Sequence, residues 1–233
     1  MDKLNQKLYK GSLYLTFTSQ GFIMNIKKGT TTVGIACKDG IILAADRRAT
    51  AGTLIVDKKA QKTYIIQDNF AVTIAGGVSD AQLIVKLLRA EAKLKTLRTG
   101  RVPTIKETAN MLGGILYSSI RQYSAIPAIA HFLLGGFDHD GLHLYDLYPD
   151  GSVTRVDDYT SSGSGSVIAY GVLESQYQKE VSVEDGIKLS IRAVNAALQR
   201  DSATGNGIDV VKVTRDGITR VFGQEVKAVV EIR

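Results

Sequence analysis

Cysteine is nearly absent from this chain. Cys37 is the only one in 233 residues, so no disulfide can form within the chain, and a reducing compartment is expected. Proline is scarce, with three in all, and there are no runs of Gly, Ser or Gln, which excludes long disordered linkers of those compositions. Long apolar runs are missing too. Leu13 to Ile26 is broken by Thr16, Thr18, Ser19, Gln20 and Asn25, and is too polar and too short for a membrane span. It also lacks the clean apolar run and small-x-small cleavage site of a secretory signal. The cytoplasm is the expected location, with no membrane association. The net charge of +6 is uneven, since residues 1–29 hold five lysines against one aspartate. No basic stripe interleaved with aromatics follows, so no nucleic-acid partner is expected.

Several other signatures are incomplete. His131, His139 and His143 fall across a hairpin at spacings that match no strong ligand pattern, so no metal is expected. Gly163-Ser164-Gly165 lacks the third glycine of a dinucleotide fingerprint, and no cofactor is expected. Cys37 has no base spaced to serve it and reads as a small buried hydrophobe. The lysine-rich stretch from Lys86 to Arg101 reads as a solvated helix face. No repeat occurs at a solenoid period.

What is present is a strongly patterned chain from Thr30 onward. Thr31 to Cys37 and Ile41 to Ala45 are apolar runs joined by Lys38-Asp39-Gly40, a hairpin signal. Lys62 to Ile66 and Ala71 to Ala75 predict a second hairpin. After Gly76-Gly77, Ser79 or Asp80 is placed to cap a helix in which Leu83, Ile84, Leu87, Leu88, Ala92 and Leu94 keep helical spacing to about Thr99. Pro103 opens another helix, with Ile105, Ala109, Leu112, Ile115, Leu116 and Ile120 inward. Ala128 to Phe137 and Gly141 to Tyr148 predict a third hairpin. Ser164 to Tyr177 reads as a short helix, and Ser182 to Arg200 as a longer one capped by Ser182. Gly207 to Thr214 and Ile218 to Phe222 close the chain as strands, with a last strand over Lys227 to Ile232. Runs of strands separated from runs of helices predict an α+β fold: a four-layer α-β-β-α sandwich of two antiparallel sheets flanked by helices. A chain of this length can form one domain.

The junction Gly29-Thr30-Thr31-Thr32-Val33-Gly34 lies where a vaguely patterned leader meets a clear strand. A threonine hydroxyl is a weak nucleophile and needs a base nearby. A threonine at a new amino terminus has one in its own α-amine, which ordinarily titrates at ~8. Cleavage before Thr30 would unmask it, and Gly29, without a Cβ, would let the backbone strain for that attack. By itself Thr-Thr-Thr-Val is also ordinary β-branched strand sequence. Asp46 at the end of a buried strand and Lys62 at the start of the next hairpin add to the chemical reading. A lysine beside the nucleophile could keep the α-amine neutral and stabilise an alkoxide, with Asp46 orienting it. Gly76-Gly77 before a helix could offer backbone N–H groups to an oxyanion, each worth ~3 kcal/mol. It could equally be an ordinary strand-to-helix turn.

Thr30-Thr31-Thr32-Val33-Gly34-Ile35, Ala44-Ala45-Asp46-Arg47-Arg48 and Ala75-Gly76-Gly77 together resemble the active beta subunits of archaeal and eukaryotic proteasomes, which share the Ntn-hydrolase fold. Asp46, Lys62 and Gly76 lie 16, 32 and 46 residues after Thr30, in agreement. Gly163-Ser164-Gly165 with Ala169 to Glu174, and Arg200-Asp201-Ser202-Ala203-Thr204-Gly205, resemble two further signatures. The resemblance covers Thr30 to about Phe222.

It implies a threonine endopeptidase in which Thr30 is the nucleophile, Asp46 and Lys62 are its charged neighbours and the Gly76 N–H is the oxyanion donor. Ser164, Asp201 and the hydroxyl of Thr204, where the family often has Ser, would support the amino terminus. Thr50 would pair with substrate backbone. Ala49, Ala60, Tyr64, Ile74 and Val78, with Gly76, would complete a neutral substrate pocket favouring hydrophobic residues. Residues 1–29 would be a propeptide removed by self-cleavage between Gly29 and Thr30, leaving 30–233 as one peptidase domain. The implied partners are other beta subunits in a heptameric ring, alpha subunits in a stacked assembly of twenty-eight chains, a regulatory ring ATPase and unfolded polypeptide substrates. Three competing readings are a catalytically silent beta subunit of the same particle, the simpler bacterial two-ring peptidase, and a non-enzymatic basic module that keeps its leader.

Overall fold

Strand alternation sets the architecture. In the strand β4 (Ile41–Asp46), Ile42 and Ala44 point to one side, while Ile41 and Leu43 point to the other. All six of its residues are buried, so it lies between two apolar layers. The computed structural model describes residues 17–18, 21–22, 29–124 and 127–225.

In chain order, two-residue strands β1 (Phe17–Thr18) and β2 (Gly21–Phe22) pair with each other. They are followed by β3 (Thr32–Ala36), β4, β5 (Ala49–Ala51), β6 (Leu54–Asp57), β7 (Thr63–Gln67) and β8 (Phe70–Gly76). Helices α1 (Val78–Thr99) and α2 (Ile105–Ile120) come next, then β9 (Ala130–Asp138), β10 (Gly141–Leu147), β11 (Val153–Val156) and β12 (Tyr159–Ser162). Helices α3 (Ser166–Gln176) and α4 (Val183–Arg200) precede β13 (Gly207–Thr214) and β14 (Gly217–Glu225). One sheet has the order β11-β10-β9-β8-β7 and the other β12-β3-β4-β13-β14, both antiparallel.

Three apolar layers hold the stack together. Phe70, Val72, Phe132 and Leu134 of the first sheet pack under Ile84, Leu88, Ile105 and Leu112 of α1 and α2. Val33, Ile35, Ile42 and Val210 of the second sheet pack under Leu173, Leu189 and Val194 of α3 and α4. Leu43, Ala71, Leu133, Leu144 and Val211 fill the space between the sheets. This is the expected α-β-β-α sandwich.

Local differences from the predicted elements have physical reasons. Gly77, not Ser79 or Asp80, caps α1, and it provides no side-chain bond. α2 is capped by Thr104, one residue after Pro103, in a reciprocal capping box with Glu107. Ser182 caps α4 as predicted, accepting from Asp185 N–H. Leu83, Leu87 and Leu94 keep helical spacing in α1 but face outward, and Ala81 and Val85 are buried instead. Strands β11 and β12 escape the pattern because their sequences, Val-Thr-Arg-Val and Tyr-Thr-Ser-Ser, are polar. β12 is nevertheless buried, because its hydroxyls find partners: Ser161 Oγ donates to Thr32 O at 2.7 Å and Ser162 Oγ meets Thr32 Oγ1 at 2.6 Å. The short pair β5–β6 was not predicted either. The strand expected over Lys227 to Ile232 lies outside the described residues.

Candidate active site

Thr30 and Thr31 stand immediately before β3, and both are buried. The Thr30 hydroxyl donates to the Gly29 carbonyl oxygen at 2.5 Å. Antiparallel pairing of β3 with β4 sets Thr32 opposite Ala45, which brings the end of β4 beside Thr31. There Asp46, fully buried, receives four donors. Its Oδ1 accepts from Thr31 N–H at 3.0 Å and from Lys62 Nζ at 2.7 Å. Its Oδ2 accepts from Arg48 N–H and Gly205 N–H, each at 2.9 Å. Two donors to each oxygen leave the buried carboxylate fully hydrogen-bonded.

Lys62 comes from the other sheet. Its carbonyl accepts from Ile74 N–H at 2.9 Å, so it extends the β7–β8 ladder, while its side chain crosses to β4. Burial pulls the Lys62 ammonium below its ordinary pKa. The Asp46 and Asp201 charges oppose that fall, and Arg48 adds to it. A lysine with a reduced hold on its proton, beside the backbone of Thr31, is thus a result of tertiary packing.

On the opposite side, the turn into α3 and the loop after α4 meet the same threonines. Ser164 Oγ lies 3.3 Å from Thr30 N and donates to Asp201 Oδ2. Thr204 Oγ1 donates to the same oxygen at 2.5 Å and lies 2.7 Å from Thr31 Oγ1. The added methyl of Thr204 is fully buried without displacing its hydroxyl. Gly163, at φ +92°, and Gly165 permit this approach. A Cβ on Gly163 would lie 2.1 Å from Thr30 O, and one on Gly165 would lie 2.1 Å from Thr31 Oγ1. Gly76 ends β8 at φ +106°, and a Cβ there would lie 2.4 Å from Ile129 O.

Thr30, Asp46, Lys62, Ser164, Asp201 and Thr204 therefore converge in one hydrogen-bonded network. The remaining predicted residues surround it more loosely. Ala60 N–H donates to Arg47 O at 3.0 Å, which sets Ala60 against the bend that leads from β4 into β5, the strand of Ala49 and Thr50. Tyr64 and Ile74 pack in the layer beneath α1, and Val78, half exposed, opens that helix. Sequence reasoning assigned no role to Thr31, Arg48, Gly163, Gly165, Ala203 or Gly205, although each lies within one of the recognised motifs. Cys37 lies away from this network; burial, with Asp39 adding, pushes its thiol up to about 12, in keeping with an inert side chain. Among the described residues no helix is long and apolar enough to cross a membrane.

Comparison with known proteins shows the family. Residues 26–213 match the family described as "Proteasome subunit". The "Proteasome subunit beta" of Methanocaldococcus sp. (strain FS406-22) is 46% identical over 209 residues, covering 89% of this chain and 92% of the relative. That of Methanopyrus kandleri is 47% identical over 200 residues, covering 86% and 94%. That of Ferroglobus placidus is 42% identical over 204 residues, covering 88% and 95%. The chain belongs to the proteasome subunit family, as a beta subunit of the archaeal type.

Proposed function

We propose that this beta subunit is a catalytic one, a threonine endopeptidase that activates itself by cutting between Gly29 and Thr30. The observation that carries the reading is the Thr30 hydroxyl, held 2.5 Å from the Gly29 carbonyl oxygen, next in the chain to Thr31, whose N–H donates to the buried Asp46–Lys62 pair. In the precursor the Thr30 nitrogen is an amide and cannot act as a base. Thr30 Oγ1 attacks the Gly29 carbonyl carbon, the C–N bond breaks, and the hydroxyl proton passes to the departing nitrogen. Water then hydrolyses the resulting ester, leaving a Gly29 carboxylate on residues 1–29 and a free amine and hydroxyl on Thr30. Residues 30–233 are then the peptidase domain.

With substrate, the same hydroxyl attacks a peptide carbonyl while the new α-amine takes its proton and passes it to the leaving amine. Lys62, bonded to Asp46, places positive charge near both groups. The Gly76 N–H is the oxyanion donor, and Ser164, Asp201 and Thr204 steady the amino terminus. Thr50 pairs with substrate backbone. Ala49, Ala60, Tyr64, Ile74 and Val78 bring no charge to the first pocket, which therefore favours cleavage after hydrophobic residues. The relatives' name supports assembly into a proteasome; by the family resemblance the particle has heptameric beta rings stacked with alpha subunits. It would be fed unfolded polypeptide by a ring ATPase in the cytoplasm.

Mass spectrometry of the assembled protein tests this. The expected amino terminus is Thr30, and Thr30→Ala is expected to keep the leader and lose all peptidase activity. Intact Gly29–Thr30 bonds in the assembled wild type would sink the proposal. A fluorogenic peptide panel is expected to show hydrolysis after apolar residues, blocked by a threonine-reactive electrophile.

A further inference from the structure

Glycine at position 29 has a steric cause. Gly76 and Gly163 adopt the left-handed region, where L side chains are strained, but Gly29 does not. What excludes a side chain from position 29 is space alone: a Cβ would lie 1.7 Å from Ala203 Cβ, 2.7 Å from Ala203 Cα and 2.9 Å from Ala203 O. Real Cβ atoms do not approach carbon this closely, so either residue 29 or residue 203 would have to move.

Ala203 is poorly placed to move. Its own N–H donates to Asp201 Oδ1 at 3.2 Å, and Thr204 N–H donates to Asp201 O at 3.1 Å. The Arg48 guanidinium clamps the same loop from outside. It donates from Nη1 to Ser202 O and from Nε to Asn206 Oδ1, each at 2.8 Å. It also fills the space above Gly205, where a Cβ would lie 2.3 Å from its Cζ. Arg48 and Gly205 N–H groups hold Asp46 at the same time. The loop is thus fixed from both ends and from above.

We infer that Ala203 is the specificity-determining residue for self-cleavage. Its methyl group, on a loop pinned by Arg48, admits only glycine before Thr30. This rests on the self-cleavage reading above, and it extends that reading to which precursor bond can be presented to the hydroxyl. Because the conflict is steric rather than torsional, it is reversible at the partner position. Ala203→Gly removes the 1.7 Å contact, the most severe of the three, while the backbone contacts at 2.7 Å and 2.9 Å remain, so the rescue is partial.

The test is a double-mutant cycle on the full chain, with two readouts. In the first, the amino terminus of assembled wild type, Gly29→Ala, Ala203→Gly and the double variant is read over time by mass spectrometry. Gly29→Ala is expected to keep the leader, Ala203→Gly to release Thr30 as wild type does, and the double variant to regain release at an intermediate rate. In the second, the same pair is introduced into Thr30→Ala, which cannot cut itself. There Gly29→Ala is expected to lower the melting temperature, with Ala203→Gly restoring part of the loss.

Wild type that keeps its leader would sink the self-cleavage reading, while the melting cycle would still report the steric pairing. The inference about Ala203 is overturned if Gly29→Ala is processed as fast as wild type. It is also overturned if Ala203→Gly alone fails to be processed. A double variant stalled as completely as Gly29→Ala, with no recovery in melting temperature, would overturn it too.

Discussion

Four donors converge on the Asp46 carboxylate, and Lys62 is the only one of them that carries charge. Removing a single partner of a buried ion pair strands the other charge, which costs about 3 kcal/mol or more. Lys62→Met, made in a Thr30→Ala background so that processing does not confuse the comparison, is therefore expected to lose about that much in urea unfolding. Adding Asp46→Asn should recover part of it. Thr204 poses a finer question, because its hydroxyl bridges Asp201 and Thr31 while its methyl is packed. Thr204→Ser deletes one buried methyl, a cost of about 1 kcal/mol, and keeps both bonds. It is expected to retain peptide hydrolysis. Thr204→Val keeps the volume but leaves Asp201 short of a donor, so kcat is expected to fall with KM little changed.

At the start of α2, Thr104 accepts from Glu107 N–H at 3.1 Å while Glu107 Oε2 accepts from Thr104 N–H at 3.0 Å. Arg101 adds a two-pronged pair to the same carboxylate. The Arg101 bond first, and the Thr104 N–H next, hold the Glu107 carboxyl down at about 2, from an ordinary 4.5. A depressed acid contributes stability that is present above its unfolded value and lost as pH falls through its folded one. The contribution of Glu107 is therefore expected to be full above pH 4.5 and to fade towards pH 2. Carboxyl titration by NMR reads the midpoint directly, and Glu107→Gln should flatten the melting-temperature profile in that window. A midpoint near 4.5 would mean that the capping box opens in solution. The helix caps show how far local sequence reaches. Ser182 and its acidic first turn were legible because a cap is made within a few residues. The Gly77 cap of α1 was not, because Gly77 N–H is held by Ile129 O, just before β9.

Across the molecule, the two sheets are joined by an apolar layer and by the buried Asp46–Lys62 pair. Leu133 is fully buried between the sheets and makes no bond to the site network. Leu133→Ala is expected to cost about 2–5 kcal/mol, seen as a lower melting temperature. At a temperature where the variant is still folded, the amino terminus of the assembled protein should still be Thr30. That outcome would separate the strength of the sandwich from the geometry of the site. Loss of processing in a folded variant would show that sheet packing sets the site as well.

The order and type of the main elements were readable from the chain alone. Apolar runs in β3, β4, β8, β9 and β13, helical spacing in α1 and α2, and the Ser182 cap of α4 are local signals, each made within a few residues. The candidate site residues were assigned from the sequence too, but through the order and spacing of motifs rather than through contacts. Only the folded chain decided which groups meet. Asp46 and Lys62 lie on different sheets, Ser164 just before α3 meets Asp201 just after α4, and Ala203 closes on Gly29 across most of the sequence. Such contacts follow from the stacking of the layers, which no local pattern encodes. For the same reason β12 was invisible: its serines and threonines look like a loop until Thr32 and Asp146 supply the partners that let them be buried.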